Sequence, residues 1–271
     1  MSTSHSPFLT TALAAANAAA EVIQRYYQRN LDVRIKSDKS PVTQADVESE
    51  QAIRRVIGQR FPDHGFLGEE TGQSALDAEY LWLVDPIDGT KAFVREYPFF
   101  STQIALAHRG QLIVGVSSAP VYGELACAQL DHSFVDGGQV TEYRRLATLQ
   151  GRALAVSSID SIESAAISGG NLKSLALGPH WQNYGRLIAR ANRIRGYGDF
   201  LHYHLLAAGK IDVVIESDVN ILDIAALTVI VEAAGGKFTD LKGARVGLET
   251  TTVLASNAKL HSQVLAALAG E

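Results

Sequence analysis

Leu81-Trp82-Leu83-Val84-Asp85-Pro86-Ile87-Asp88-Gly89-Thr90 is the stretch on which the reading of this chain turns. Its first four residues are an unbroken apolar run that stops at an Asp-Pro pair, the pattern of a buried strand ending at a loop. Upstream, Phe8–Arg29 reads as a helix, free of internal Gly and Pro, with Leu9, Leu13, Val22, Ile23 and Tyr26 on roughly helical spacing. A second helix is expected from about Thr43 to Phe61, where Thr43-Gln-Ala-Asp46 resembles a capping box and Pro41 and Pro62 bracket the segment. Between them, Asn30–Lys39 alternates Val33 and Ile35 with polar residues, as a strand or extended arm would.

Downstream of the decisive stretch, Ser101–Gln139 is strand-like, with Gly110, Gly115, Gly123 and Gly137-Gly138 as turn signals, and reads as an antiparallel meander. The rhythm then changes. Ala153–Ser157 is strand-like, Trp181–Asn192 and Asp199–Ala208 are helical, and Ile211–Glu216 is a strand. Asp223–Ala234 is a helix stopped by Gly235-Gly236, and Val253–Ala255 and Leu260–Leu268 add a strand and a helix. The fold class expected is α/β, with an α+β first half, residues 1–146, and an α/β second half, residues 147–271.

Composition narrows the class of function. The chain has 271 residues, 46% hydrophobic and 20% charged, which excludes a disordered or fibrous protein. A net charge of −5 gives no basic face for nucleic acid. The single cysteine, Cys127, excludes a disulfide framework and fits a reducing compartment. Ala12–Ile23 is interrupted by Asn17 and Glu21, is too short for a bilayer and follows no basic leader, so a cytoplasmic protein without a membrane partner is expected.

The acidic punctuation is densest at Gly68-Glu69-Glu70 and at Asp85-Pro86-Ile87-Asp88-Gly89-Thr90. Carboxylates gathered at a strand end repel one another unless a cation joins them, and oxygen-rich sites suit a hard ion such as Mg2+. Pro86 fixes a dihedral of that loop, and Gly89 lets backbone approach a ligand. The competing reading is a plain type I turn, since Asp-Pro and Asp-Gly are common turn formers. The spacing fails the EF-hand pattern, and two residues between the aspartates, where a phospho-aspartate phosphatase has one, argue against that mechanism.

Gly68-Glu69-Glu70, then Trp82-Leu-Val-Asp85-Pro-Ile-Asp88-Gly-Thr90-x-x-Phe93, then Leu222-Asp223-x-Ala225-Ala226 before Glu232-Ala-x-Gly-Gly236, resemble the inositol monophosphatase family. Arg195-Gly-Tyr-Gly-Asp199-Phe200 and Asp85 to Lys91 most resemble its branch acting on histidinol phosphate. The resemblance implies a layered α-β-α-β-α sandwich of the sugar-phosphatase type, two or three Mg2+ ions and a homodimer. It implies Glu69, Asp85, the carbonyl of Ile87, Asp88 and Asp223 as metal ligands. It further implies Asp46 holding water on a further ion, Thr90 with Glu69 orienting the attacking water, and Gly89 and Thr90 giving backbone donors to phosphate. Arg195, Glu216 and Asp223 fall where the family contacts the rest of the substrate. Leu222 stands where a Trp is usual and Ala92 where an Asn is usual, departures that bear on substrate choice and not on hydrolysis.

Elementary energetics agree. Phosphate monoester hydrolysis demands accelerations up to about 10²¹-fold. Side-chain acid–base work supplies only about 10²–10⁴ of that, so metal ions are the plausible main source. The expected activity is Mg2+-dependent hydrolysis of L-histidinol phosphate in histidine biosynthesis, with inositol 1-phosphate as the rival substrate and other small sugar or nucleotide phosphates beyond it. A non-catalytic metal- or phosphate-binding protein is the reading from another class, and the full set of acids with Thr90 argues against it.

Other residues carry competing readings. Asp223 could instead N-cap the helix from Ile224, and Asp46 could cap its own. Glu70 reads as a neighbour of the ligand Glu69. Arg195 suits an ion pair or a substrate contact, and Asp199 a substrate amine or a cap of the helix from Phe200. His202 and His204, two apart on a helix, face different ways and cannot form a helical metal pair. Ser157-Ser158 lacks the glycines of a nucleophile elbow, and Cys127 reads as inert packing.

Overall fold

The computed structural model describes residues 4–29, 33–35, 41–136 and 138–270. Pro7–Tyr26 (α1) ends before the expected Arg29 and is capped by Ser6, whose hydroxyl accepts the Leu9 amide at 3.2 Å. Val33–Ile35 (β1) and Pro41–Thr43 (β2) pair antiparallel and lead into Gln44–Arg60 (α2), which opens with the expected Thr43/Asp46 capping box. The rest of the arm expected at Asn30–Lys39 lies outside the described residues.

Gly65–Gly68 (β3), Gln73–Ser74 (β4) and Tyr80–Asp88 (β5) precede the short helix Thr90–Val94 (α3). Ser101–His108 (β6), Gln111–Ala119 (β7) and Glu124–Gln129 (β8) form the expected meander. His132–Asp136 (β9) and Gln139–Tyr143 (β10) are a separate hairpin, while Leu146–Leu149 (β11) and Arg152–Ala153 (β12) return to the sheet edge. The order β12-β11-β8-β7-β6-β5-β3-β4 is antiparallel except at β3 and β5. Gly110, Gly123 and Gly138 sit at turns as expected, and Gly137 lies outside the described residues. Gly115 does not mark a turn: it lies inside β7.

The second half contributes Ala166–Gly170 (β13), Leu172–Leu177 (α4), Trp181–Arg190 (α5), Arg193–Arg195 (β14) and Asp199–Ala207 (α6). Val213–Ser217 (β15), Ile221–Ala233 (α7), Gly236–Thr239 (β16), Thr252–Asn257 (β17) and His261–Ala269 (α8) complete the chain. Its sheet runs β14-β13-β15-β17-β16. Of the strand expected at Ala153–Ser157 only Ala153 is in a strand. The remainder passes from one sheet to the other, and its polar groups are met singly, as when the Val156 amide donates to Ala234 O at 3.0 Å.

The layering follows from which face each strand residue takes. Trp82, Val84, Ile104, Leu106, Val114 and Val116 cover one face of the larger sheet against α1 and α2. The other face is mostly small, with Ala105, Ala107, Ala126 and Ala128, and packs on α6 and α7. The same two helices meet Val214, Phe238, Val253 and Ala255 of the smaller sheet, whose far face packs on α4, α5 and α8 through Ile167, Val213 and Leu254. The result is the expected α-β-α-β-α sandwich. α7 is apolar all round because it is covered from both sides. Gly115 lets it settle: a Cβ there would stand 2.4 Å from the Ala226 carbonyl oxygen.

Candidate active site

β5 runs past its expected end. Its register with β6 holds to Asp85 opposite Gln103, breaks, and resumes at Asp88 opposite Ser101. The sequence reading stops the strand at Asp85-Pro86, whereas the structure keeps it to Asp88 around a bulge. There the Ile87 amide donates to Asp85 Oδ1 at 2.9 Å and the Thr102 hydroxyl donates to Pro86 O at 2.8 Å. A bulge re-aims side chains, and this one lets two carboxylates three residues apart converge. The Ile87 side chain is buried with Ile23, Ala45, Phe93 and Phe100, which anchors the bulge from beneath. Gly89 then turns at φ +92°, and a Cβ there would lie 2.7 Å from Phe99 O, so no other residue fits without strain.

The third carboxylate comes from α7. The helix starts at Ile221, not at Asp223, and its cap is Asn220. Asp223 sits one turn in and accepts the Asn220 amide and side-chain NH₂, each at 2.8 Å. Asp223 is thus both a capping-box residue and part of the acidic cluster: the ligand atoms of Asp85, Asp88 and Asp223 all lie within 4.8 Å of one another.

Burial first, then Glu69, Asp88 and Asp223, push the Asp85 carboxyl well above the usual range. Asp88 is likewise driven up by burial and then by Asp223, Asp199, Glu216 and Glu69. Asp223 rises to about 7, burial outweighing the bonds from Asn220. Among the described residues no Lys or Arg pairs with any of the three. All-oxygen donors, converging and mutually repelling, fit a hard divalent cation, whose charge lets them ionise together. Glu69, exposed on the β3–β4 connection, reaches the same cluster through a hydrogen bond with Asp85.

Asp46 caps α2 and also faces the site. Its Oδ2 accepts the Thr43 amide at 2.8 Å and hydroxyl at 2.6 Å, while its Oδ1 lies 3.2 Å from the Thr90 hydroxyl. That hydroxyl also lies 3.0 Å from Ile87 O, the carbonyl implied as a ligand. Burial raises the Asp46 carboxyl despite the Thr43 bonds.

The far wall comes from the smaller sheet and α6. Glu216, buried on β15, accepts the Tyr203 hydroxyl at 2.6 Å and lies 3.1 Å from His202 Nε2, whose Nδ1 is 3.3 Å from Ser168 Oγ. An ionised Glu216 makes Nε2 the donor and leaves Nδ1 to accept from Ser168. Asp199 does not cap its helix: Gly198 holds the cap position, and Asp199 takes a left-handed φ of +44°. Burial of its carboxyl and the charge of Glu216 lift it to about 6. Arg195 ends the edge strand β14, exposed, its guanidinium donating to Ile194 O at 2.7 Å.

Sequence reasoning missed three side chains here. His202 and Tyr203 fix Glu216, and fully buried Glu50 on α2 binds the loop that carries Glu69. The first two were hidden because helix phase alone does not say what lies opposite. Glu50 was hidden because Glu48, Gln51 and Arg54 around it look like a solvated face.

A family model described as the inositol monophosphatase family matches residues 4–271. A histidinol-phosphatase from Mycobacterium tuberculosis is 37% identical over 264 residues, 96% of this chain and 97% of that protein. Another from Streptomyces coelicolor is 35% identical over 258 residues, 92% of this chain and 91% of that protein. The solved structure of an inositol monophosphatase from Anabaena superposes with a TM-score of 0.79 at 28% identity, covering 97% of this chain and 95% of that one.

Proposed function

The chain belongs to the inositol monophosphatase family and is a phosphatase; on that footing we propose that it is a Mg2+-dependent histidinol-phosphatase. The observation that carries the substrate choice is the acidic wall beyond the metal cluster. Asp199 and Glu216 face one another's charge; the basic side chain set beside them is His202, on Glu216, and no Lys or Arg of the described residues pairs with either. A substrate bringing an ammonium group relieves that repulsion, whereas a neutral polyol does not. Relatives named histidinol-phosphatase at 37% and 35% identity support the same choice.

In this reading Glu69, Asp85, Ile87 O, Asp88 and Asp223 hold two or three Mg2+ ions. When bound, the ions supply positive charge against the phosphoryl oxygens and the leaving oxygen. The Thr90 hydroxyl donates to Asp46, which leaves the Thr90 oxygen free to accept a hydrogen bond from the attacking water, with Glu69 on its other side. Asp46, raised by burial, suits the role of proton acceptor behind Thr90. The water oxygen bonds to phosphorus as its proton passes by way of Thr90 to Asp46, the ester P–O bond breaks, and the leaving alkoxide takes its proton from a solvent water. Backbone N–H groups of Gly89 and Thr90 face the phosphate, and Asp199 and Glu216, with Arg195 at the rim, read the amino-alcohol half. Residues 1–146 then carry most of the metal ligands, and residues 147–271 supply Asp223 and the substrate wall.

The reading includes a cytoplasmic homodimer. The dimer rests on the family resemblance, and the compartment on Cys127 standing alone. Light scattering that gives a monomer removes the dimer. Turnover of L-histidinol phosphate and of inositol 1-phosphate, with Mg2+ and after chelation, tests the rest. Preference for the amino alcohol and loss of activity on chelation are expected. Equal or faster cleavage of inositol phosphate transfers the assignment to that substrate, and undiminished turnover without metal ends it.

A further inference from the structure

Glu50 has no solvent exposure, and the chemistry above gives it no task. It lies one turn after Asp46 and one turn before Arg54, so the three share a stripe of α2. Its Oε2 accepts the Glu70 amide at 2.7 Å, and its Oε1 accepts the Thr71 amide at 2.6 Å together with the Thr71 hydroxyl. Arg54 adds Nη1 to Thr71 Oγ1 at 3.2 Å and Nη2 to Ser74 Oγ at 3.0 Å, and its guanidinium lies 4.8 Å over the Phe66 ring. Gly68 makes the approach possible, since a Cβ there would stand 2.3 Å from Glu50 Oε1.

Burying a carboxylate is costly, and an apolar side chain would pack α2 without that cost. What the carboxylate adds is direction, since its two oxygens gather the peptide N–H groups that follow Glu69. Glu69 is itself exposed, on a connection between two short strands, yet it reaches Asp85. We infer that Glu50 is a positioning residue: it clamps residues 68–71 to α2 so that the Glu69 carboxylate is presented, already ordered, to the Asp85/Asp88/Asp223 cluster and its ion. This rests on the reading of Glu69 as a metal ligand.

The test is a double-mutant cycle on the full chain, read by Mn2+ binding from the free-ion EPR signal and by amide hydrogen exchange. Glu50→Gln keeps the shape but turns an NH₂ toward a backbone donor, so amides 70 and 71 exchange faster and Mn2+ affinity falls about tenfold, the loss of one hydrogen bond to a charged group. In a Glu69→Ala background the same substitution leaves Mn2+ affinity unchanged, because Glu50 acts only through Glu69. Thr71→Val, which removes the hydroxyl contacts to Glu50 and Arg54 but keeps both backbone amides on Glu50, gives a smaller effect of the same sign and serves if Glu50→Gln does not fold. Faster exchange at 70 and 71 with unaltered Mn2+ affinity overturns the proposal. So does an equal loss of affinity with and without Glu69, which is what a general loosening of the fold produces. A wild type that binds Mn2+ but cleaves neither ester defeats the histidinol-phosphatase assignment while the cycle is still decided on binding. A wild type that binds no Mn2+ defeats both.

Discussion

Ionising Asp88 is costly: it is half-buried, beside Asp223, within the field of Asp199, Glu216 and Glu69. Replacing it by Asn therefore has two effects of opposite sign. Hydrolysis falls by orders of magnitude, while the metal-free protein melts at a higher temperature because one repelling charge is gone. Calorimetric scans in chelator beside turnover assays check both, and retained activity removes Asp88 from the metal site. Gly89→Ala is the complementary case. At φ +92° with Phe99 O 2.7 Å from the new Cβ, it costs about 1–3 kcal/mol in a urea titration and abolishes turnover. These residues were legible because their motif is contiguous, so adjacency in sequence already meant adjacency in space. Asp199 was only half legible. Asp at a helix start ordinarily means a cap, and nothing local announces that Gly198 takes that position and leaves the carboxylate to the site.

Among the elements, α7 connects packing to chemistry. It delivers Asp223 from its first turn, and how far Asp223 reaches depends on how closely the helix lies on β7. Gly115, taken from sequence for a turn, is the contact that sets this distance. Gly115→Ala would thrust a methyl group against the Ala226 backbone, which cannot swing aside as a flexible side chain can. The expected outcome is destabilisation of about 1–3 kcal/mol by urea denaturation together with weaker Mg2+ binding, because Asp223 withdraws with its helix. Unaltered metal affinity in a destabilised variant would show that α7 can shift without moving its first turn. Strand and helix identities were largely readable from periodicity. The bulge in β5 was not, because Pro86 reads equally well as a terminator and as a residue excused from the ladder.

Taken whole, the molecule sets two kinds of titration against each other. His64 accepts the Trp82 indole N–H at 3.0 Å while stacked on Phe61 and Tyr80, and burial drives it to about 4. His261, buried between Ser256 and Thr239, is also driven to about 4 by burial. For both, the unfolded chain binds a proton that the folded chain refuses, so stability present above about pH 6.5 is lost as pH falls toward about 4. The site acids run the other way. Asp223 at about 7 and Asp199 at about 6, with Asp85 and Asp88 raised as well, keep protons in the fold that the unfolded chain has released. Their contribution therefore declines as pH rises from the ordinary aspartate value of 3.8 through about 7. On the proposed reading Mg2+ acts on the second set alone, by letting those carboxylates ionise in place. In chelator the melting temperature is expected to fall above about pH 6.5, where both histidines are already neutral in either state. With saturating Mg2+ that alkaline decline flattens while the acid decline of the histidines remains, so the gap between the two curves widens as pH rises. Scanning calorimetry from pH 5 to pH 8 with and without Mg2+ decides it, and a gap independent of pH would mean that the four acids do not share one ion-linked field.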